Sequence, residues 1–367
     1  MKITCSRQQL NEAVLNVQRA VSTKSSIPAL EGILLKTKEN AVELCGYDLE
    51  LGMTTEIPAS VQEPGNIVLS ARLFGDIVRR LPGEDVLISS DEKQTAAILS
   101  GTAEFSIVGI PAEEYPELPA NNGESTLKMQ SPILKSMIRQ TLFAVADNDA
   151  KPIHTGTLFE LQDGKLRLVS VDGYRLAIRE EPVEFPEKTS FVVPGKTLGE
   201  VLKLLDDDGD LEMQIGRRHI FFSIGKYTVI SRLLEGEFLD YRAALPNSSA
   251  TEVRVSTRAF TDSVERVSLL IADRLKSPLR CVFRENEIRL SCSTAIGRAT
   301  DQLEAKIQGE SFEMGFNNRY LLDALHNTEC DETRILLNGP LSPMEILPPE
   351  GNAFLFLVLP VRLKNAD

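Results

Sequence analysis

The chain has 367 residues, of which 42% are hydrophobic and 25% are charged, as in soluble globular proteins, and it is too long for one ordinary core. Its net charge of −13 argues, taken alone, against nucleic acid as a partner. No run approaches the ~20 apolar residues of a membrane span, the first residues favour a strand over a signal peptide, and the five cysteines form no CxxC pair. We therefore expect a cytoplasmic protein with reduced thiols and no membrane partner.

The first third of the chain predicts a short strand at residues 2–4 and then an amphipathic helix. Apolar residues recur at helical spacing over residues 10–21, and Ser6 is a plausible cap at the helix start. Two strands follow, then a second helix that stops before Pro82, and then further strands that include residues 104–109. This order of elements predicts an α+β fold, with antiparallel sheets covered on one face by two helices.

The same order of elements recurs twice more at a near-constant interval. The matched positions are Leu10, Leu134 and Phe260 in the first helix, Leu44, Leu168 and Leu290 in a strand, and Phe74, Leu198 and Leu321 in the second helix. The first helices of the later copies are expected to run to Val145 and Ile271. A period of 122 to 126 residues at three independent landmarks indicates three similar tandem domains, which we place at residues 1–122, 126–247 and 250–367.

Five of the six residues at two matched positions of the second helix are Arg or Lys. The first position holds Arg72, Lys196 and Arg319, and the second, seven residues later, holds Arg79, Lys203 and His326. Two turns apart, both positions lie on one helical face, opposite the apolar residues. An ordinary solvated face explains one such helix, whereas three copies in register favour a common cationic surface. With no Trp and 6% aromatic residues, we expect this surface to hold the phosphates of duplex DNA rather than stack on bases.

Three signals that resemble catalytic or ligand sites do not carry that chemistry. Gly195-Lys196-Thr197 opens a helix, but a phosphate loop needs Gly five residues earlier, where Ser190 stands. The acidic run at 206–210 has no Glu at the spacing of a calcium loop. The three histidines are scattered. We therefore predict no catalytic residue, no metal and no cofactor.

Five short motifs carry a resemblance that covers the whole chain. They are IPAL at 27–30, GYDLE at 46–50, VDGYRLA at 171–177, FLDYR at 238–242 and LPVRL at 359–363. Taken with the threefold period, they make the chain similar to the bacterial DNA polymerase III beta subunit family, the sliding clamps. The resemblance implies the DNA clamp fold, with sheets outside, two helices per domain lining a channel, and two subunits closing head-to-tail into a homodimeric ring.

The function that the resemblance implies is that of a processivity factor. The ring would encircle duplex DNA and tether the replicative polymerase and other replication and repair proteins during DNA replication. The chain would thus be a non-catalytic subunit of a DNA-directed DNA polymerase, a nucleotidyltransferase holoenzyme. The implied partners are a second copy, DNA of any sequence, the DNA polymerase III alpha subunit, the clamp loader complex and other proteins with a clamp-binding motif.

The resemblance also implies roles for individual residues. Lys24 and Asn148 match positions that contact DNA, in addition to the cationic positions above. The residues that match a cleft for short partner peptides are His154, Thr155, Val171, Gly173, Tyr174, Arg175, Leu176, Leu239, Ala244, Leu341, Pro343, Leu357, Leu359, Pro360, Val361, Arg362 and Leu363. Without the family, Leu357, Leu359 and Val361 would be interpreted as the core face of a final strand.

The ring interface is implied at an edge strand and at the end of a helix. Phe105 and Ile107 match the exposed edge strand of the first domain, which is expected to pair with the third domain of a second copy near Leu269, Leu270 and Ile271. Two departures from the family are a Leu at 239, where the family often has Pro, and the extension at residues 364–367.

Two other functions stay open on the residues alone. An enzyme built from repeated units, such as an enolpyruvyl transferase, would need a reactive Cys or acid beside an anion-binding cluster, and none of the five cysteines lies in one. A static DNA-binding protein would stay on linear DNA with free ends, from which a ring slides off.

Overall fold

The computed structural model describes residues 1–121, 125–147, 151–246, 248–271 and 277–363. Its six α-helices are α1 (Arg7–Val17), α2 (Ala71–Arg80), α3 (Ser131–Leu142), α4 (Gly195–Leu204), α5 (Thr257–Ser268) and α6 (Asn318–His326). In the described residues no helix is long and apolar enough to cross a membrane.

The strands of the described residues all pair in antiparallel fashion. They are β1 (Lys2–Ser6), β2 (Gly32–Thr37), β3 (Ala41–Tyr47), β4 (Leu51–Glu63), β5 (Asn66–Ser70), β6 (Asp85–Ser90), β7 (Thr95–Ser100), β8 (Ala103–Val108), β9 (Ser125–Gln130), β10 (Gly156–Gln162), β11 (Lys165–Val171), β12 (Arg175–Pro182), β13 (Thr189–Pro194), β14 (Asp210–Ile215), β15 (His219–Ile224), β16 (Tyr227–Arg232), β17 (Thr251–Ser256), β18 (Leu279–Arg284), β19 (Glu287–Thr294), β20 (Gly297–Glu304), β21 (Lys306–Gly309), β22 (Phe312–Phe316), β23 (Glu332–Leu337), β24 (Met344–Leu347) and β25 (Phe354–Val358).

The chain forms two compact units. The first contains residues 1–133 and 199–233, and its twelve strands form one sheet in the order β8-β7-β6-β1-β4-β16-β15-β14-β9, with β2, β3 and β5 branching from β4. The second contains residues 134–198 and 234–367, with a nine-stranded sheet and a four-stranded sheet ordered β20-β19-β18-β22. Each unit therefore joins strands of two neighbouring repeats in one sheet.

Neighbouring repeats are joined by the pairing of equivalent strands, and we call each such pairing a joint. In the first unit β4 pairs with β16, where Met53 lies opposite Val229. In the second unit β12 pairs with β25, where Ala177 lies opposite Phe356. Met53 and Ala177 are 124 residues apart, which is one period of the repeat, so the two joints are equivalent.

The first helix of each repeat begins where the sequence predicts but ends about one turn earlier. Residues Val21, Val145 and Ile271, which we expected in the first helix of each repeat, all lie beyond the helix end. Each donates its backbone N–H to the carbonyl three residues earlier, on Gln18, Leu142 and Ser268. Such 3₁₀-type turns keep the apolar side chain on the helix's apolar side, and this explains why the pattern overran.

The cap that the sequence predicts at Ser6 is not formed, whereas the equivalent serine of the third repeat forms one. Ser256 caps α5 by accepting a hydrogen bond from the N–H of Ala259, whereas the Ser6 side chain makes no such bond and Ser131 is the first residue of α3. All five cysteines are free thiols; four are buried, and Cys330 is half-buried. Burial raises the pKa of Cys5 and of Cys45 to about 12, so both stay protonated and unreactive at neutral pH.

Candidate nucleic-acid and protein interfaces

The cationic positions of the second helices are equivalent in the structure. Arg72, Lys196 and Arg319 are each the second residue of their helix, and Arg79, Lys203 and His326 are each the ninth. All six side chains are exposed. The opposite faces are buried, with Phe74, Leu198 and Leu321 at 0% exposure. The sequence prediction that cations and apolar residues occupy opposite faces of these helices is therefore confirmed.

Several of these cations are also paired with acids. Arg79 and Arg80 both bind Asp76, and the ammonium of Lys203 lies 2.8 Å from Glu200. The ring of His326 lies 3.1 Å from Glu265. Of the two residues added by resemblance, Lys24 is exposed, whereas Asn148 lies outside the described residues.

The hairpin turn between β11 and β12 is the centre of the expected cleft. Gly173 has φ +90°, a conformation that glycine adopts without strain, and the Asp172 carboxylate accepts from the N–H groups of Tyr174 and Arg175. After β25 the chain returns to this turn, since Leu359 donates its N–H to the Tyr174 carbonyl at 2.9 Å. The motifs at 171–177 and 359–363 thus lie side by side.

Arg175 joins this turn to helix α6. It is only 9% exposed and binds Asp172 at 2.8 Å and also Asp323 of α6. Its guanidinium carbon lies 4.6 Å from the centre of the Tyr320 ring, on which Tyr174 also stacks. A buried arginine with two carboxylates and an aromatic face is held in one position, so it fixes the wall of the cleft.

A cavity of about 650 Å³ opens beside the turn. Its lining includes the expected cleft residues Gly173, Tyr174, Leu359, Pro360 and Val361. Tyr174, Leu359 and Val361 are 60%, 38% and 42% exposed. This exposure overturns the interpretation of Leu359 and Val361 as core residues, which holds for Leu357 alone, at 3% exposure.

The other expected cleft residues differ in their surroundings. Val171 and Leu176 are packed with Leu357 in one buried cluster. His154 and Leu239 line a separate cavity of about 640 Å³ together with Phe238. Thr155, Pro343 and Leu363 are half-buried, and Ala244, Leu341 and Arg362 are exposed. An apolar floor with exposed apolar rims suits the capture of a short apolar peptide.

A polar network holds the segment that carries Leu239 and Ala244. The Glu160 carboxylate accepts from Arg242 at 2.6 and 2.7 Å, from Tyr241 at 3.0 Å and from Arg167 at 2.7 Å. Burial raises the pKa of Glu160, but the hydrogen bonds from Arg242, Tyr241 and Arg167 outweigh it and hold the pKa below its usual range. The network thus ties the turn at Tyr241–Ala244 to β10.

Glu160→Gln is expected to lower the free energy of unfolding by about 2 kcal/mol at pH 7, because three donors lose a charged acceptor. Since the folded pKa is lowered, this contribution is fully present above the unfolded pKa of about 4.3 and is lost as the pH falls through the folded pKa. Urea unfolding at pH 7 and at a pH below the folded pKa of Glu160 measures this contribution. The control is Glu184→Gln, which changes an exposed carboxylate just after β12. An equal deficit at both pH values would contradict the assignment.

Among the described residues, strand β8 is an edge of its sheet, as the family resemblance implies. It pairs with β7 on one side, with Phe105 opposite the buried Ile98. The equivalent residues of the other repeats, Val229 and Phe356, lie opposite the buried Phe222 and Ile346. Both are at 0% exposure, whereas Phe105 is 37% exposed. Phe105 is therefore a core position that lacks its second neighbouring strand.

The four-stranded sheet also has an edge strand. Strand β20 pairs only with β19, so its other side is open in the described residues. Ile296, in the turn before it, is 70% exposed, and Leu269 after α5 is 83% exposed. Leu270 and Ile271, which we also expected at the interface, are half-buried and pack against the core of the third repeat.

Sequence reasoning missed several residues that shape these surfaces. Asn318 and Tyr320 line the 650 Å³ cavity, Asp172 and Asp323 hold its wall through Arg175, and Glu160 holds the segment beside the 640 Å³ cavity. Asp76 and Glu200 are 124 residues apart, and Glu200 and Asp323 are 123 apart, which matches the period of the repeat. This spacing was the available signal for Asp323. In the described residues no group of three or more His, Cys, Asp or Glu could hold a metal ion.

Known proteins are similar to this chain along nearly its whole length. It matches the family models of the DNA polymerase III beta subunit in order: the N-terminal domain at residues 1–119, the central domain at 128–240 and the C-terminal domain at 242–362. The "Beta sliding clamp" of Bacillus subtilis (strain 168) is 34% identical over 376 residues, covering 99% of this chain and 100% of that protein.

Solved structures are similar over the same extent. A crystal structure of the DNA polymerase sliding clamp from Bacillus subtilis has a TM-score of 0.96 at 32% identity, covering 99% of this chain and 100% of that chain. That of a putative DNA polymerase III beta subunit from Eubacterium rectale ATCC 33656 has a TM-score of 0.94 at 34% identity, covering 98% and 99%.

Proposed function

The chain belongs to the DNA polymerase III beta subunit family, and from this membership we propose a head-to-tail ring of two copies that slides on duplex DNA. The family function is that of a DNA sliding clamp in replication, a processivity factor without catalysis of its own. The observation that carries it is the run of three clamp-domain matches along the chain. Comparing the retention of the loaded protein on circular DNA with its retention on linear DNA tests this proposal.

From the repeat we propose a register for the subunit interface. Val229 pairs with Met53 and Phe356 pairs with Ala177, and the residue equivalent to both partners in the third repeat is Ala299. We place Phe105 of a second copy opposite Ala299, so that β8 extends the sheet of β20. The inward face of β20, with Ala299 packed against the core, would then cover Phe105, as Met53 covers Val229.

The registered cations are our proposed DNA contacts. Lys24, Arg72, Arg79, Asn148, Lys196, Lys203 and Arg319 form the set, with the phosphate backbone as their ligand. The exposure of all six matched helix positions supports it. We keep the domain boundaries at 1–122, 126–247 and 250–367, close to the matched ranges, and place the protein in the cytoplasm.

The cleft beside Arg175 is our proposed site for partners. We assign it the linear motifs of the DNA polymerase III alpha subunit, the clamp loader and other clamp-binding proteins. The support is an exposed apolar rim at Tyr174, Leu359 and Val361 beside a fixed polar wall. Leu239, where the family often has Pro, lines the neighbouring cavity and would widen the range of apolar side chains accepted there.

Leu359→Asp is expected to weaken binding of the replicative polymerase by about thirtyfold, because it places a carboxylate at the apolar rim of the cleft. Surface plasmon resonance with the immobilised variant measures this. Leu341→Asp, at a more exposed leucine of the same expected set, should cost less. Equal affinity of the Leu359 variant and the parent would remove Leu359 from the site.

A further inference from the structure

The second helices share an acidic position as well as the cationic ones. Asp76, Glu200 and Asp323 are each the sixth residue of α2, α4 and α6. The sixth residue lies four after the second and three before the ninth, so it shares a helical face with both cations. Each repeat thus carries a carboxylate in the middle of the face that we propose to meet DNA.

In the first two repeats this acid binds the cations beside it. Asp76 accepts hydrogen bonds from Arg79 and, at 3.0 Å, from Arg80. Glu200 accepts one from Lys203 at 2.8 Å, and Arg19 of the first repeat lies 3.9 Å away. The Arg80 hydrogen bond holds the pKa of Asp76 below its usual range, so this carboxylate is ionised at neutral pH.

The third repeat uses the same acid differently. Asp323 binds Arg175 of the cleft wall, and the ninth residue, His326, takes Glu265 of α5 as its partner. Asp323 therefore helps to hold the cleft wall in place, whereas Asp76 and Glu200 are hydrogen-bonded to cations of their own helices. The two acids that hold helix cations directly are those of α2 and α4.

We propose that Asp76 and Glu200 lower the affinity of the ring for DNA by competing with phosphate for Arg79 and Lys203. This inference rests on the proposed DNA-facing surface. A phosphate that binds Arg79 or Lys203 must displace the carboxylate, and a cation already neutralised by protein releases fewer counterions from DNA. When the phosphate leaves, the carboxylate pairs with the cation again. Each contact with DNA therefore stays weak while the ring moves.

The ion pairs of these two acids differ in exposure. The side chains of Arg79 and Lys203 are 56% and 54% exposed, whereas those of Asp76 and Glu200 are 42% and 16% exposed. An exposed pair such as Asp76–Arg79 contributes little to folding. The helices are held by their apolar faces, where Phe74 and Leu198 are fully buried. Asp76→Asn should therefore leave the fold intact, and Glu200→Gln keeps the shape of the side chain and one oxygen acceptor for Lys203, so the expected change is in the DNA affinity.

The test is the variant Asp76→Asn/Glu200→Gln, with binding to a fluorescent linear duplex of about 40 base pairs followed across a range of salt concentration. We expect affinity to rise about threefold for each released cation, and the slope of log K against log salt to steepen by about one for each phosphate gained. Diffusion of the loaded ring along DNA should slow. A merely structural role would move neither the slope nor the diffusion.

The matched control is Glu43→Gln/Glu56→Gln, which removes the same charge from two strand acids that share Lys38. Equal tightening by this control would show a general charge effect and overturn the proposal. An unchanged slope in the helix variant would overturn it too. If Lys196→Glu/Lys203→Glu also leaves DNA binding unchanged, the proposed surface itself fails; if that reversal weakens binding, only the role of the acids fails.

Discussion

Phe105→Asp is expected to turn the dimer into a monomer at micromolar concentration. Phe105 is 37% exposed in one chain, while its equivalents Val229 and Phe356 are fully buried beside a second strand. An aspartate there would bring an unpaired carboxylate into the proposed joint with β20 and remove the aromatic anchor. A loss of about 2 kcal/mol or more raises the dimer Kd by at least about thirtyfold.

Light scattering after gel filtration measures this effect. The parent should elute at twice its chain mass of 40.6 kDa and the variant at that mass. Leu15→Asp is the matched control, because Leu15 has the same 37% exposure but lies on helix α1. A variant that remains dimeric with an unchanged Kd would exclude β8 from the interface.

Lys196→Glu/Lys203→Glu is expected to weaken duplex binding by about tenfold or more at moderate salt. The ring would lose four phosphate contacts, each of which accounts for about 0.9 of the slope of log K against log salt. Both side chains are exposed on the second and ninth positions of α4, so the fold should tolerate the change. Fluorescence anisotropy across a salt series gives affinity and slope together.

The control for this reversal is Lys38→Glu/Lys128→Glu, which changes the net charge equally. Both lysines are exposed, Lys38 just after β2 and Lys128 in β9, away from the second helices. Equal losses in the two variants would mean that overall charge governs binding. An unchanged slope after the α4 reversal would mean that α4 does not meet DNA.

The repeat made much of this fold predictable from sequence. Matched positions such as Arg72 and Lys196 fall at the same place in their helices. Because the period spans a whole domain, the three copies can be aligned even where individual residues differ. The edge strand at Phe105 was implied by the family resemblance instead. The helix ends were wrong by a turn, since apolar periodicity continues through a 3₁₀ turn that packs like a helix.

The walls of the cleft depended on contacts that no local pattern records. Glu160 and Arg242 are 82 residues apart, and Arg175 and Asp323 are 148 apart. Their pairing follows from strand order in the second unit, which the sequence alone does not specify. The same strand order leaves Leu359 exposed while Leu357 is buried, so a simple alternation along the final strand would misplace the rim.

Topological attachment is the central claim, and retention on DNA of different topology tests it most directly. The protein is loaded onto nicked circular DNA by its clamp loader, the DNA is cut once with a restriction enzyme, and gel filtration separates bound from free protein. A ring stays on the circle and leaves the linear molecule through its ends. Equal retention on circular and linear DNA would contradict the account and indicate a static DNA-binding protein.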